Sequence, residues 1–171
     1  VQKGGIGYQT RNIWRGQRCS AADAFLRPVL SRKNLRVITD STVSKIEFKA
    51  KRATAVQLSG RKGTSKFLAR REIILCAGAI ETPKLLQLSG VGSGSLLQSF
   101  GISVVHDAPS VGRNLREHRY LAMQYRVSKG SLNGAFQGLG LVGSMFQYLF
   151  NKSGPMSHAA HEAGGVVKTL P

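Results

Sequence analysis

The chain has 171 residues, 42% of them hydrophobic, enough for one core or for one core and part of a second. Its formal charge of +17 comes from scattered Lys and Arg with only short clusters, such as Lys49-Ala50-Lys51-Arg52 and Arg70-Arg71. That pattern reads as a solvated basic surface without nucleic-acid binding, and it leaves peripheral membrane association open.

Cys19 and Cys76 lie far apart in unrelated contexts, which makes neither a disulfide framework nor a zinc site. No apolar run has membrane-spanning length, so the default location is cytoplasmic, with membrane association as the variant.

In chain order, Gly4-Gly5-Ile6-Gly7 reads as turn glycines beside Tyr8 and Gln9. Ser20 before Ala21-Ala22-Asp23-Ala24-Phe25-Leu26 reads as a capped helix start with an acidic first turn, bent or ended by Pro28. A short strand is expected over Asn34 to Thr39. Thr42 to Phe48 and Thr54 to Leu58 alternate at period two around Lys49-Ala50-Lys51, a small antiparallel unit. Residues 60 to 66 read as polar loop, and Arg71 to Ala77 as a buried strand.

The next segment is Gly78-Ala79-Ile80-Glu81-Thr82-Pro83-Lys84-Leu85-Leu86-Gln87-Leu88-Ser89-Gly90-Val91-Gly92. It reads as glycine turn, helix opened by Thr82-Pro83, and glycine stop at Ser89-Gly90. Ser95 to Phe100 predicts a helix ended by Gly101, Ile102 to His106 a strand, and Asp107-Ala108-Pro109-Ser110 a turn. Tyr120 to Val127 alternates, Ala135 to Phe150 predicts an apolar helix, and Gly164 to Leu170 a last strand.

The segment from Gly78 to Gly92 resembles the second signature of the glucose-methanol-choline (GMC) flavoprotein oxidoreductases, through Gly78, Ala79, Thr82, Pro83, Leu85, Leu86, Ser89, Gly90, Val91 and Gly92. Further resemblance runs through Arg18-Cys19-Ser20-Ala21-Ala22, Asn34-Leu35, Arg71-Glu72-Ile73-Ile74-Leu75 and Val111-Gly112-Arg113-Asn114-Leu115-Arg116-Glu117-His118. The branch it looks most like is choline dehydrogenase.

The resemblance implies a mixed α/β fold: part of an FAD-binding Rossmann-like domain with an antiparallel β-meander over residues 1–110, then the crossover and the start of a substrate-binding domain over 111–171. Family chains are several times longer, so this chain is expected to be an internal piece. The dinucleotide fingerprint would then lie upstream and the catalytic histidine downstream, leaving no catalytic residue within it.

By the same resemblance the cofactor is FAD. The backbone of Val43 would meet the adenine edge, as an amide N–H and C=O can pair with a base, and Cys76, Ala77 and Gly78 would form the turn beside the adenosine. Glu162 would face the substrate's head group, where a carboxylate attracts a quaternary ammonium; relatives with neutral alcohols carry comparable acids. Glu117 stands where the family usually has Asp. Asn114 and His118 are expected to brace the domain crossover, and His118 is not the catalytic base.

Two literal motifs are set aside. Gly138-Leu139-Gly140-Leu141-Val142-Gly143 has dinucleotide spacing but lies in a helix-like segment without a βαβ unit. His158, His161 and Glu162 lack a further ligand for a metal.

The implied activity is oxidation of a primary alcohol, choline-like or other, by hydride transfer to flavin, with a quinone or oxygen as electron acceptor. An alcohol oxidase, a noncatalytic relative and a basic binding module remain alternatives.

Overall fold

The computed structural model describes residues 5–8, 10–61, 63–117, 121, 126–158 and 163–166. The strands and helices, in chain order, are β1 (Gly5–Tyr8), β2 (Ile13–Trp14), β3 (Gln17–Arg18), β4 (Ser41–Lys49), β5 (Arg52–Gly60), β6 (Gly63–Leu68), α1 (Gly78–Leu88), β7 (Val91–Gly92), α2 (Gly94–Ser99), β8 (His106–Asp107), α3 (Gly138–Asn151) and β9 (Ala163–Val166). Contacts divide the chain into two units, Val37–Leu121 and the flanking segments Val1–Arg36 with Ala122–Pro171.

In Val37–Leu121 a three-stranded antiparallel meander, β4-β5-β6, packs against α1. The expected β4/β5 pair forms, closing at Lys49↔Arg52 with Ala50 at φ 53 in the turn. Its register shifts between Val43 and Lys45, so the strand carries an irregularity beside Val43. The polar stretch read as loop supplies a third strand, β6. Its Thr64, Lys66 and Leu68 alternate with Ser65 and Phe67, and its exposed edge position tolerates the polar side chains that hid it.

The core of this unit is Ile46 (2% exposed), Ala55, Leu85 and Leu97. Gly90 follows α1 at φ 91, and a Cβ there would fall 2.5 Å from the Ser103 carbonyl oxygen, so both dihedral and space demand glycine. After it, β7 pairs in parallel with β8 across α2.

Four expectations are corrected here. α1 begins at Gly78 rather than at Thr82-Pro83, and Pro83 lies inside the helix, where its missing N–H leaves the Ala79 carbonyl without its intrahelical donor. Asn34–Thr39 and Arg71–Ala77 run without strand pairing; Ile74 is 74% exposed. An apolar extended segment becomes a buried strand only where neighbours take up its N–H and C=O groups, and no described strand does so. Of the expected Ile102–His106 strand only His106 is strand, paired in β8 with Asp107, which was read as turn.

In the flanking unit, β1 pairs antiparallel with β9, Ile6 lying over Gly165 and Gly7 opposite Gly164. Gly5-Ile6-Gly7 is therefore strand and not turn. β2 and β3 form a hairpin through Arg15 (φ 50) and Gly16 (φ 71), the paired left-handed residues a two-residue turn requires.

The Ser20 cap forms as read. Ser20 Oγ and N both donate to Asp23 Oδ2, at 2.6 and 3.0 Å, and Asp23 N donates back to Ser20 Oγ at 3.2 Å. The helix it opens is a π-turn, Ala22–Leu26, followed by a 3-10 turn, Arg27–Val29, with Pro28 inside it.

Gly138-Leu139-Gly140-Leu141-Val142-Gly143 forms the first turns of α3. A Cβ on Gly140 would lie 2.0 Å from the Gly134 carbonyl oxygen, so this glycine lets the preceding 3-10 turn, Asn133–Phe136, close on the helix. Gln9, His118, His161, Glu162 and most of Tyr120 to Val127 lie outside the described residues.

Candidate functional site

Of the residues singled out, Cys76, Ala77 and Gly78 come together at the N-terminus of α1, and Val43 stands on β4, the strand against which that helix packs. Gly78 is at φ 90, and nothing lies within 4 Å of where its Cβ would be. Ala77, in the N-cap position, makes no side-chain capping bond. The first N–H groups of an 11-residue helix are therefore without a side-chain cap, beside open space. Glu81 in the first turn is engaged by Lys84 at 3.0 Å. Cys76 is an exposed free thiol.

β4 is an outer strand of its sheet, so one of its edges carries β5 and the other carries no strand among the described residues. That second edge is fixed by a residue the sequence reading treated only as a helix stop. Ser89, 3% exposed, accepts the Ile46 N–H at Oγ (2.8 Å) and donates its own proton to the Leu85 carbonyl (2.6 Å). One hydroxyl thus ties the end of α1 to the strand bearing Val43. The available signal was a small polar residue closing an apolar run, immediately before the terminating glycine.

A family model described as GMC oxidoreductase matches residues 2–120. The chain belongs to the GMC oxidoreductase family. Oxygen-dependent choline dehydrogenase of Pectobacterium atrosepticum is 39% identical over 170 residues, 98% of this chain and 30% of that protein. Alcohol dehydrogenase [acceptor] of Pseudomonas putida is 37% identical over 172 residues, 98% of this chain and 31% of that protein. Among solved structures, an FAD-dependent oxidoreductase from Chaetomium thermophilum is 31% identical with a TM-score of 0.77, over 90% of this chain and 28% of that one. The chain thus spans about 30% of the length of the curated relatives it matches.

As a GMC oxidoreductase chain, its mixed α/β architecture with antiparallel meander is the expected one. The family's implied cofactor can be tested against the geometry. An adenosine needs a close backbone approach without side-chain obstruction, and Gly78 leaves that space clear. An N-terminus without a side-chain cap offers donors to polar or anionic atoms. Apart from the Ile46 N–H that Ser89 takes up, the edge of β4 away from β5 faces no strand among the described residues, which leaves room there for a base edge. The residues present fit such a group.

A second cluster, in the flanking unit, escaped the sequence reading. Thr10, Arg11, Asn12, Ile13, Gly16 and Arg18 from the hairpin region face Tyr148, Met156, Ser157 and His158 across a cavity of about 520 Å³. Among the described residues, no group of three or more His, Cys, Asp and Glu is arranged to hold a metal, and no helix is long and apolar enough to cross a membrane.

Proposed function

We propose that this chain is the central part of an FAD-dependent alcohol dehydrogenase that oxidises a primary alcohol, choline-like or other. The observation that carries the reading is the open, positive-φ Gly78 at the α1 N-terminus, within a chain of the GMC family. On this reading residues 1–110 belong to the FAD-binding domain, and 111–171 to the crossover and the beginning of the substrate-binding domain.

Bound FAD would supply the hydride acceptor for oxidation of the alcohol carbon. The chain's own residues bind and position. Backbone at Val43 meets the adenine edge, and Cys76, Ala77 and Gly78 let the main chain approach the adenosine. Ser89 holds β4 against α1 so that these two contacts keep a fixed spacing. Glu162, next to Ala163 in the sequence, is the acidic group assigned to attract the substrate's head group. The base that takes the hydroxyl proton lies outside these residues.

The test uses the full-length protein carrying these residues. Anaerobic mixing with choline and with simple primary alcohols should bleach the bound flavin's visible band, and readmitted oxygen or a quinone should restore it. Restoration by air at turnover rate would identify an oxidase; restoration by quinone alone, a dehydrogenase. Purified protein without flavin, or flavin that no primary alcohol reduces, would refute the reading.

A further inference from the structure

We propose that Gln87 is a positioning residue for the crossover: its side-chain amide fixes the peptide at Val111-Gly112 and so sets the placement of the residues that follow. On the flavin reading, on which this role rests, that peptide is where the chain leaves the cofactor-binding part. Gln87 lies near the C-terminal end of α1, the helix whose N-terminus carries the Gly78 turn. Its Nε2 donates to the Val111 carbonyl at 3.2 Å, a half-buried bond between residues 24 apart in the chain. A carbonyl only accepts, so the nitrogen end of the amide must face it.

Two glycines make room for that side chain. A Cβ on Gly92, in β7, would fall 3.0 Å from Gln87 Cγ, and a Cβ on Gly112 would fall 2.7 Å from Gln87 Nε2. Gly112 also sits at φ 79, which a residue with a Cβ adopts only under strain. The glutamine therefore lies in a slot between β7 and the turn at Gly112.

The segment it holds is built from turns. Its start is seated by Gly94 N, which donates to Asp107 Oδ1 at 2.8 Å, and by Ala108 N, which donates to the Gly92 carbonyl at 2.8 Å. Val111 N then donates to the Ala108 carbonyl at 3.0 Å and Arg113 N to the Ser110 carbonyl at 3.1 Å, carrying the chain to Asn114 at φ 58. Such turns bond to their own neighbours and do not by themselves fix a segment to the fold; a side chain reaching in from α1 does. A displacement of about 1 Å can cost about a hundredfold in rate. Loosening this bond should therefore slow hydride transfer while the adenosine contacts at the other end of α1 persist.

Hydrogen exchange of residues 108–117 in the full-length protein tests the bond, each rate being taken relative to the parent at the same pH. Gln87→Met keeps the length and removes the donor, so exchange there should rise about 2- to 10-fold, the range for one ordinary hydrogen bond. Gln87→Glu gives a signature that packing alone would not. Ionised, it turns an acceptor toward an acceptor and should accelerate exchange at least as much; protonated, it can donate, so the excess should shrink as the pH falls from about 7 to about 4.5. In anaerobic mixing with a primary alcohol, Gln87→Met should keep its FAD while the limiting rate of flavin reduction falls at least about threefold.

Thermal denaturation of each variant checks that the fold is retained. Unchanged exchange over 108–117 in folded Gln87→Met, or equal acceleration by Gln87→Glu at both pH values, would overturn the role of the bond. An unchanged rate of flavin reduction, or loss of FAD in proportion to the lost rate, would overturn the positioning role. A parent that binds no flavin, or whose flavin no primary alcohol reduces, would refute the flavin reading and the positioning role with it, while exchange would still decide the bond.

Discussion

Replacing Ser89 by Ala removes one oxygen and leaves the helix otherwise able to form. The Ile46 N–H, on a residue 2% exposed, then loses the acceptor it has at 2.8 Å. A buried donor left without a partner costs about 1–3 kcal/mol. The Leu85 carbonyl loses less, because it still accepts the Ser89 backbone N–H at 3.1 Å; about 0.5 kcal/mol is a fair figure for that share. The sum, about 1.5–3.5 kcal/mol, corresponds to roughly a 10- to 400-fold change in an equilibrium constant.

Hydrogen exchange followed by mass spectrometry on the full-length protein reads this locally. Peptides covering Ser41–Lys49 should exchange faster by about that factor in Ser89→Ala, while Gly63–Leu68, two strands away, should change little. Unchanged exchange over Ser41–Lys49, or equal acceleration everywhere, would refute the argument that this hydroxyl clamps one edge.

Gly16→Ala should cost about 3 kcal/mol or more, from overpacking against the Lys152 carbonyl and from a side chain at φ 71; a thermal midpoint within a degree or two of the parent would contradict it. Gly78→Leu should sharply weaken flavin retention, because its side chain would occupy the open space at the α1 N-terminus, while Val43→Ala, which keeps the backbone, should retain most flavin; equilibrium dialysis of the apoprotein decides. The Ser20 side chain, then its backbone N–H, with Arg27 and Arg18 adding, holds the Asp23 carboxyl below 3.8. Its folded pKa is depressed, so the stability it contributes is present above about pH 4 and lost as the pH falls through the folded value. The stability gap between parent and Asp23→Asn should therefore be widest near neutrality and close on acidification; a gap independent of pH would refute the assignment.

Much of the Val37–Leu121 unit was legible because its signals are local. Alternation between Thr42 and Leu58 predicts β4 and β5, and the glycines at 90 and 101 mark the helix ends where they fall. What local pattern could not show was partnership. Arg71–Ala77 has the composition of a buried strand, yet composition does not provide a neighbour, and the segment stays unpaired. Thr82-Pro83 looks like a helix start because proline favours that place, but Gly78 begins the helix and Pro83 is carried inside it.

At the candidate site, the turn at Gly78 stood out in the sequence. The Ser89 clamp did not, since its partner Ile46 is 43 residues away. The cavity of Arg11, Arg18 and His158 was hidden for the same reason.

The Arg11–His158 bond spans 147 residues of chain, and the Gly16–Lys152 approach is nearly as distant in sequence. A ribosome must therefore release almost the whole segment before either contact can form, whereas β4, β5, β6 and α1 find their partners within one continuous stretch. Loop closure over such a span is the slow step in building non-local contacts. During synthesis the meander with its helix can settle first, and the flanking segment before it must wait, its Arg-rich hairpin exposed, until α3 and β9, later in the chain, arrive to cover it. That interval is where chaperone binding to the nascent chain would be expected to concentrate.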